Sequence, residues 1–202
     1  MLKLSVLWLT IAISVVVGFT WAADDIAQSI SVSRHVDTVI TEAQVDNKLA
    51  AATRRLRLRE DETSGDIRCC VHLRLAKPIA AFGKSNDHDD VIQDETQLRR
   101  VLMLPGARIK LVTAIQGVHL CGTKNIGSFE GCAEIGGKNI VLAMGAPSDV
   151  WAHEFGHNQG LPHRNTSTDL IMHESAFGTH EIDVKECSRF QDKGATIGPC
   201  PF

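Results

Sequence analysis

Residues 153–163 read His153-Glu154-Phe155-Gly156-His157-Asn158-Gln159-Gly160-Leu161-Pro162-His163, which is the spacing HExxHxxGxxH. Histidines four positions apart share one face of a helix, about a turn from each other, so His153 and His157 can aim ring nitrogens at a single ion. Gly160 is suited to the left-handed conformation that ends a helix, and Leu161-Pro162 carries the chain back so that His163 supplies a third nitrogen. Three neutral imidazoles leave the fourth position of a tetrahedral zinc ion open to water. Zinc lowers the pKa of such a water to near ~7, and Glu154 is placed to take its proton and pass it to a leaving amine. In a chain with 9 His, the whole spacing arises by chance at on the order of 0.0001, so coincidence is a poor account of it.

Downstream of His163 the short apolar run Leu170-Ile171-Met172-His173 contains a methionine. The extended histidine motif followed by a methionine turn resembles the metzincin clan of zinc endopeptidases. The resemblance spans roughly His153 to His173 and implies an α/β (α+β) fold. In that fold a mixed twisted sheet and an active-site helix precede a C-terminal subdomain carrying the methionine turn and a final helix. It also implies that Met172 lies beneath the zinc-binding histidines as a hydrophobic base, that one Zn2+ is held by His153, His157 and His163, and that Glu154 is general base and later acid. The wording Ile171-Met172-His173 is similar to the astacin-like members of the clan, which continue with a tyrosine. Here Glu174 occupies that position and the chain has no tyrosine, while Arg164 follows the third histidine where the astacin-like pattern has Glu. In the clan a sheet edge upstream of the zinc helix pairs with extended substrate. Gly131, Cys132 and Ala133 are the candidate for that edge, with an internal hairpin strand as the alternative.

Other elements must position these groups. Pro147-Ser148 starts the zinc helix, with Ser148 or Asp149 as its cap. Upstream, Val36, Val39, Ile40 and Ala43 keep helical spacing in a stretch from Arg34 to Arg59, and the polar stretch from Glu60 to Asp66 with Ser64-Gly65 marks a boundary. From Ile67 to Leu75 the pattern changes to period two, a half-buried strand that Pro78 should end. Asp94 can cap a helix through Leu98, Val101 and Leu102, and a strand from Ala107 to Ile115 follows, so the order suits a sheet with a crossover connection. Two short apolar segments, Cys132 to Ile135 and Ile140 to Met144, precede the zinc helix. Thr179 is a cap for a final helix through Ile182, Val184 and Cys187.

Residues 1–22 have a charged start at Lys3, an apolar stretch and small residues before Ala23, which reads as a secretory signal; an uncleaved anchor is the alternative, although the stretch is short for a span. Residues 23–65 are then an N-terminal extension or short propeptide, and residues 66–202 the zinc metallopeptidase domain. The basic run Arg54 to Arg59 is either a solvated helix end or a processing site. All 6 Cys follow the signal and suggest three disulfides in an extracellular or periplasmic protein, Cys121–Cys132 and Cys187–Cys200 being plausible local loops. No C-x-x-C pair supports a second zinc site.

A net charge of -3 gives no reason to invoke nucleic acid, and none to invoke an anionic membrane once the signal is removed. A monomer acting on a protein or peptide substrate is expected. The loop from Lys84 to Asp90 lacks EF-hand spacing, so calcium is not expected. His35, His72, His88 and His119 have no ligand-spaced partner, and His173 and His180 are placed outside the ligand set. Two other functions fit the same motif: a secreted binding or effector protein with a structural or inactive zinc site, and a zinc hydrolase of a non-peptide amide. A fourth protein ligand, such as His173 or Glu174, would mark the structural case.

Overall fold

A computed structural model of the chain describes residues 26–57, 69, 71–118, 120–122, 126–175 and 181–190. The expected signal segment, Cys70, His119, Thr179, His180 and Cys200 lie outside these residues. The chain begins with β1 (Ile26–His35), α1 (Glu42–Arg57), β2 (Val71–Phe82) and β3 (Val91–Ile92). It continues with α2 (Glu95–Leu102), β4 (Ile109–Val112), β5 (Ala114–Val118) and β6 (Ile126–Phe129). The last elements are β7 (Gly131–Ala133), β8 (Ile140–Ala143), α3 (Ser148–Asn158) and α4 (Val184–Phe190). The architecture is α+β: β2, β1, β4, β8 and β7 form, in that order, a five-stranded mixed sheet, and β3, β5 and β6 a smaller one. Within the larger sheet β1 pairs in parallel with β2 and β4, β4 pairs in parallel with β8, and β7 runs antiparallel to β8.

Both faces of this sheet are covered. Along β8, Ile140 and Leu142 enter one core with Val45 and Leu49 of α1 and Trp151 and Phe155 of α3. Val141 and Ala143 enter a second core with Leu98 and Val101 of α2. An unbroken apolar strand divided by period two in this way is what a sheet buried on both sides requires. α2 begins where Asp94 accepts a hydrogen bond from Gln97 N at 2.8 Å, the cap read from the sequence.

Several expectations need correction. The helix read from Arg34 begins only at Glu42, and Val39 is 83% exposed. Before it stands β1, where Ile30 and Val32 are buried, an alternation with serines that is itself a period-two signal. β1, which falls within the stretch read as an N-terminal extension, lies between β2 and β4 in the larger sheet, and the boundary read from Glu60 to Asp66 lies outside the described residues. Arg54 and Arg55 belong to α1, whose Leu56 is fully buried. β2 continues through Pro78 instead of ending there; β2 is a sheet edge, where a missing N–H is tolerated. The strand expected from Ala107 to Ile115 breaks at Thr113, where the N–H groups of Thr113 and Ala114 both turn to Asp90 O, and its two halves join different sheets.

Cys121 and Cys132 form a disulfide, as their spacing suggested, but Cys187 pairs with Cys69 and not with Cys200. That bond ties α4 to the start of β2 across 118 residues of sequence. Among the described residues no helix is long and apolar enough to cross a membrane.

Candidate metal centre

α3 is buried on nearly every side, from Asp149 to Asn158. Its N-cap is Pro147 with no side-chain cap; Asp149, expected as a possible cap, is buried and paired to Arg55 Nε at 3.2 Å, which fastens α3 to α1. The other end closes through paired reverse bonds. Gly160 N donates to His157 O at 2.8 Å and Leu161 N to Gly156 O at 3.1 Å, with Gly160 at φ +85°. Both bonds require the residue after the helix to be left-handed, which glycine adopts without a Cβ penalty.

That closure has a direct effect on the site, because the carbonyl it turns inward, Leu161 O, accepts from His157 Nδ1 at 2.7 Å. His153 Nδ1 donates in the same way to Ile171 O at 2.7 Å. A carbonyl can only accept, so both rings carry their proton on Nδ1 and present a bare Nε2 lone pair. The Nε2 atom of His163 lies 3.3 Å from that of His153 and 3.1 Å from that of His157. Nitrogens bonded tetrahedrally to zinc at their usual length stand ~3.3 Å apart, so the spacing fits one such ion. The three histidines are thus a group close enough to hold a metal, and it contains no fourth His, Cys, Asp or Glu among the described residues.

Electrostatics favours the same species. Burial, reinforced by the neighbouring His157, pushes the His153 pKa down to about 3, and burial brings His157 down to about 4. Burial also lowers His163, although that side chain faces solvent more than the other two. All three are neutral near pH 7, the form that binds metal.

Glu154 is 6% exposed, and its Oε2 has no hydrogen-bond partner among the described residues. Burial raises its pKa to about 8, opposed by a hydrogen bond from the backbone N–H of Ala133. A buried carboxylate oxygen left unpaired costs about 1–3 kcal/mol or more, which suits a group whose partner arrives with a water or a substrate. Room for it comes from Gly131: a Cβ there would lie 2.7 Å from Glu154 Cγ and 3.0 Å from Oε1. Gly131, Cys132 and Ala133 make up β7, which is at once a hairpin strand paired with β8 and the outer edge of the sheet beside α3. The hairpin strand read as the alternative is therefore the arrangement observed.

Met172 is fully buried directly against α3. A Cβ on Gly156, between the two helical histidines, would lie 2.4 Å from Met172 Sδ, so the glycine creates the seat for the sulfur. The turn is fixed by His173 N donating to Leu170 O at 2.9 Å and by Ile171 N donating to Glu181 O at 2.8 Å. His173 Nδ1 is taken up by Ser175 N at 3.1 Å, and Glu174 is exposed and bonded to Asn165. In the loop from Lys84 to Asp90, Asp87 is engaged by His35 Nε2 and by the N–H groups of Lys84 and Asp89, while Asp89 pairs with Arg100.

Two supports of the site escaped the sequence reading. One is the Arg55–Asp149 ion pair, for which nothing in the sequence is a signal. The other is the Arg164 cluster with Asp183 and Glu186. Here the D-x-x-E spacing of a capping box was legible and points to Asp183 as the start of α4. Comparison with models of protein families and with curated proteins returns no match for this chain.

Proposed function

We propose that the protein is a zinc-dependent endopeptidase of the metzincin type, exported from the cell that makes it. The observation that carries this reading is the convergence of three imidazole Nε2 atoms at tetrahedral spacing, those of His153 and His157 bare, beside a buried carboxylate whose Oε2 has no partner among the described residues. His153, His157 and His163 would hold the ion, and Met172 backs the helix that carries two of them. Bound there, zinc supplies Lewis acidity, which polarises a carbonyl and acidifies water.

The chain's own residues supply the rest. Glu154 Oε2 takes a proton from the attacking water and returns it to the leaving nitrogen as the peptide bond breaks; burial raises its affinity for that proton, and a cation held by the histidines would keep it ionised beforehand. The Ala133 N–H fixes the other part of that carboxylate. The outer edge of β7, which pairs with no further strand among the described residues, would offer its remaining backbone groups to an extended peptide, aligning it across α3 without regard to side chains. The exposure of His163 leaves the site open to solvent on that side, as a catalytic centre needs and a closed structural one does not. Export is supported by the leader-like residues 1–22 and by the disulfides.

Incubation of the purified mature chain with a mixed peptide library, with and without a chelator, tests the proposal. Chelator-sensitive cleavage is expected. A zinc-loaded chain that cuts no peptide would sink the endopeptidase assignment.

A further inference from the structure

Of the three clustered histidines, His163 is the least restrained by its own element. His153 and His157 sit on a buried helix, whereas His163 is exposed in a stretch without regular structure. Its ring is placed by what holds the chain on either side. On the N-terminal side that is the closure of α3 through Leu161. On the C-terminal side it is Arg164.

Arg164 makes two kinds of contact. Its N–H donates to Met172 O at 2.7 Å, which joins the third-ligand loop to the methionine turn. Its guanidinium reaches Asp183 and, at 3.3 Å, Glu186 Oε1. Glu186 is 1% exposed, and it is locked to Asp183 by reciprocal bonds: Asp183 N to Glu186 Oε2 at 3.1 Å, and Glu186 N to Asp183 Oδ1 at 2.8 Å. The arginine therefore grips the capped start of α4, and α4 is itself immobilised by the Cys69–Cys187 disulfide and by Phe190 stacked on Phe155 at 5.9 Å. A continuous rigid path runs from the sheet through α4 to the residue next to His163.

We propose that Arg164 is a positioning residue for the third metal ligand: it bridges the methionine turn and α4 and so holds His163 where its nitrogen meets the other two. The proposal rests on the metal reading above. One guanidinium nitrogen of Arg164, Nη1, meets both carboxylates; arginine carries that nitrogen on a rigid plane, whereas a lysine ammonium sits at the end of a flexible stem and is held less firmly. Groups hydrogen-bonded to a metal ligand change metal affinity by about 10–100-fold, and Arg164, which acts on His163 through the chain, is expected at the lower end of that range.

The test compares the wild type with Arg164→Lys and with the double variant Arg164→Gln/Glu186→Gln, which leaves no unpaired buried carboxylate. Arg100→Gln, which breaks an ion pair on α2, is the control. Zinc affinity is measured by competition with a chromophoric chelator, ligand geometry by the visible spectrum of the cobalt(II) form, and folding by circular dichroism. The double variant should fold, bind zinc at least about tenfold more weakly and give an altered cobalt spectrum, with Arg164→Lys intermediate and Arg100→Gln like the wild type. Affinity within about twofold of wild type and an unchanged spectrum in the double variant would overturn the proposal. If that variant does not fold, Arg164→Lys decides by the same two measurements. A wild type that binds no zinc would instead overturn the metal reading on which the proposal depends.

Discussion

At Glu154, what the carboxylate can do depends on Gly131 as much as on its own chemistry. Replacing Glu154 with Gln keeps the shape and removes the proton acceptor, so zinc content should stay the same while turnover falls by about 10²–10⁴-fold, the usual size of a general-base contribution. Metal analysis and a fluorogenic peptide assay on the same preparation read both effects; unchanged turnover would remove Glu154 from the mechanism. Gly131→Ala tests position without touching charge. The new Cβ would lie 2.7 Å from Glu154 Cγ and 2.7 Å from Leu142 Cδ2, both closer than unstrained atoms approach. Leu142 is fully buried and Glu154 nearly so, so the added methyl displaces both and the carboxylate shifts with them. Overpacking of this kind costs roughly 1–3 kcal/mol, and a displacement near 1 Å at a reacting group costs on the order of 10² in rate. Gly131→Ala should therefore lose turnover while retaining zinc, and equal loss of both would show that the glycine serves the fold instead of the carboxylate.

Among the elements, α3 was the most legible because its chemistry and its ending are written in consecutive residues. The i and i+4 histidines, Gly160 as the stop and the methionine further on could all be read locally, and the structure brings all of them together. Gly160→Ala tests the stop. Nothing lies within 4 Å of a Cβ there, so any loss comes from the left-handed backbone at φ +85° and not from a clash. The strain is about 1–2 kcal/mol, which for a domain of this size lowers Tm by roughly 2–8 °C. Because the same turn aims Leu161 O at His157 Nδ1, zinc affinity should fall with it. A calorimetric scan and a metal titration would show whether the two losses travel together. Other elements were hidden for physical reasons. β1 alternates apolar residues with serines, a pattern weak enough to be overshadowed by the apolar helical spacing that follows it. Pro78 reads as a strand terminator, and only the tertiary fact that β2 is an edge makes it admissible. The partner of Cys187 lies 118 residues away, a distance no local spacing rule reaches.

Over the whole molecule, the feature with the widest reach is a lysine in the second core. Lys110 occupies the middle of β4 at 1% exposure, between β1 and β8 and on the face covered by α2. Its Nζ donates to Leu102 O at 3.2 Å, Ala107 O at 3.0 Å and Asn139 Oδ1 at 2.8 Å, so it joins the end of α2, the connection into β4 and the approach to β8. All three acceptors are neutral, and burial pushes its pKa from 10.5 down to about 8. Between those two values the unfolded chain binds more protons at this site than the folded one, so unfolding free energy rises with pH across that window. Lys48 is lowered by burial and adds to the trend, whereas Lys77 is raised by Asp46 and takes its stability away only as pH climbs beyond 10.5. The chain has no tyrosine to titrate in the same range. Urea unfolding of the wild type between about pH 8 and pH 10.5 should therefore show rising stability, and Lys110→Met should flatten the rise. Parallel curves for the two proteins would mean that the ammonium is solvated in the native state, and that the three carbonyl groups are joined by a water-accessible contact instead of a buried charge.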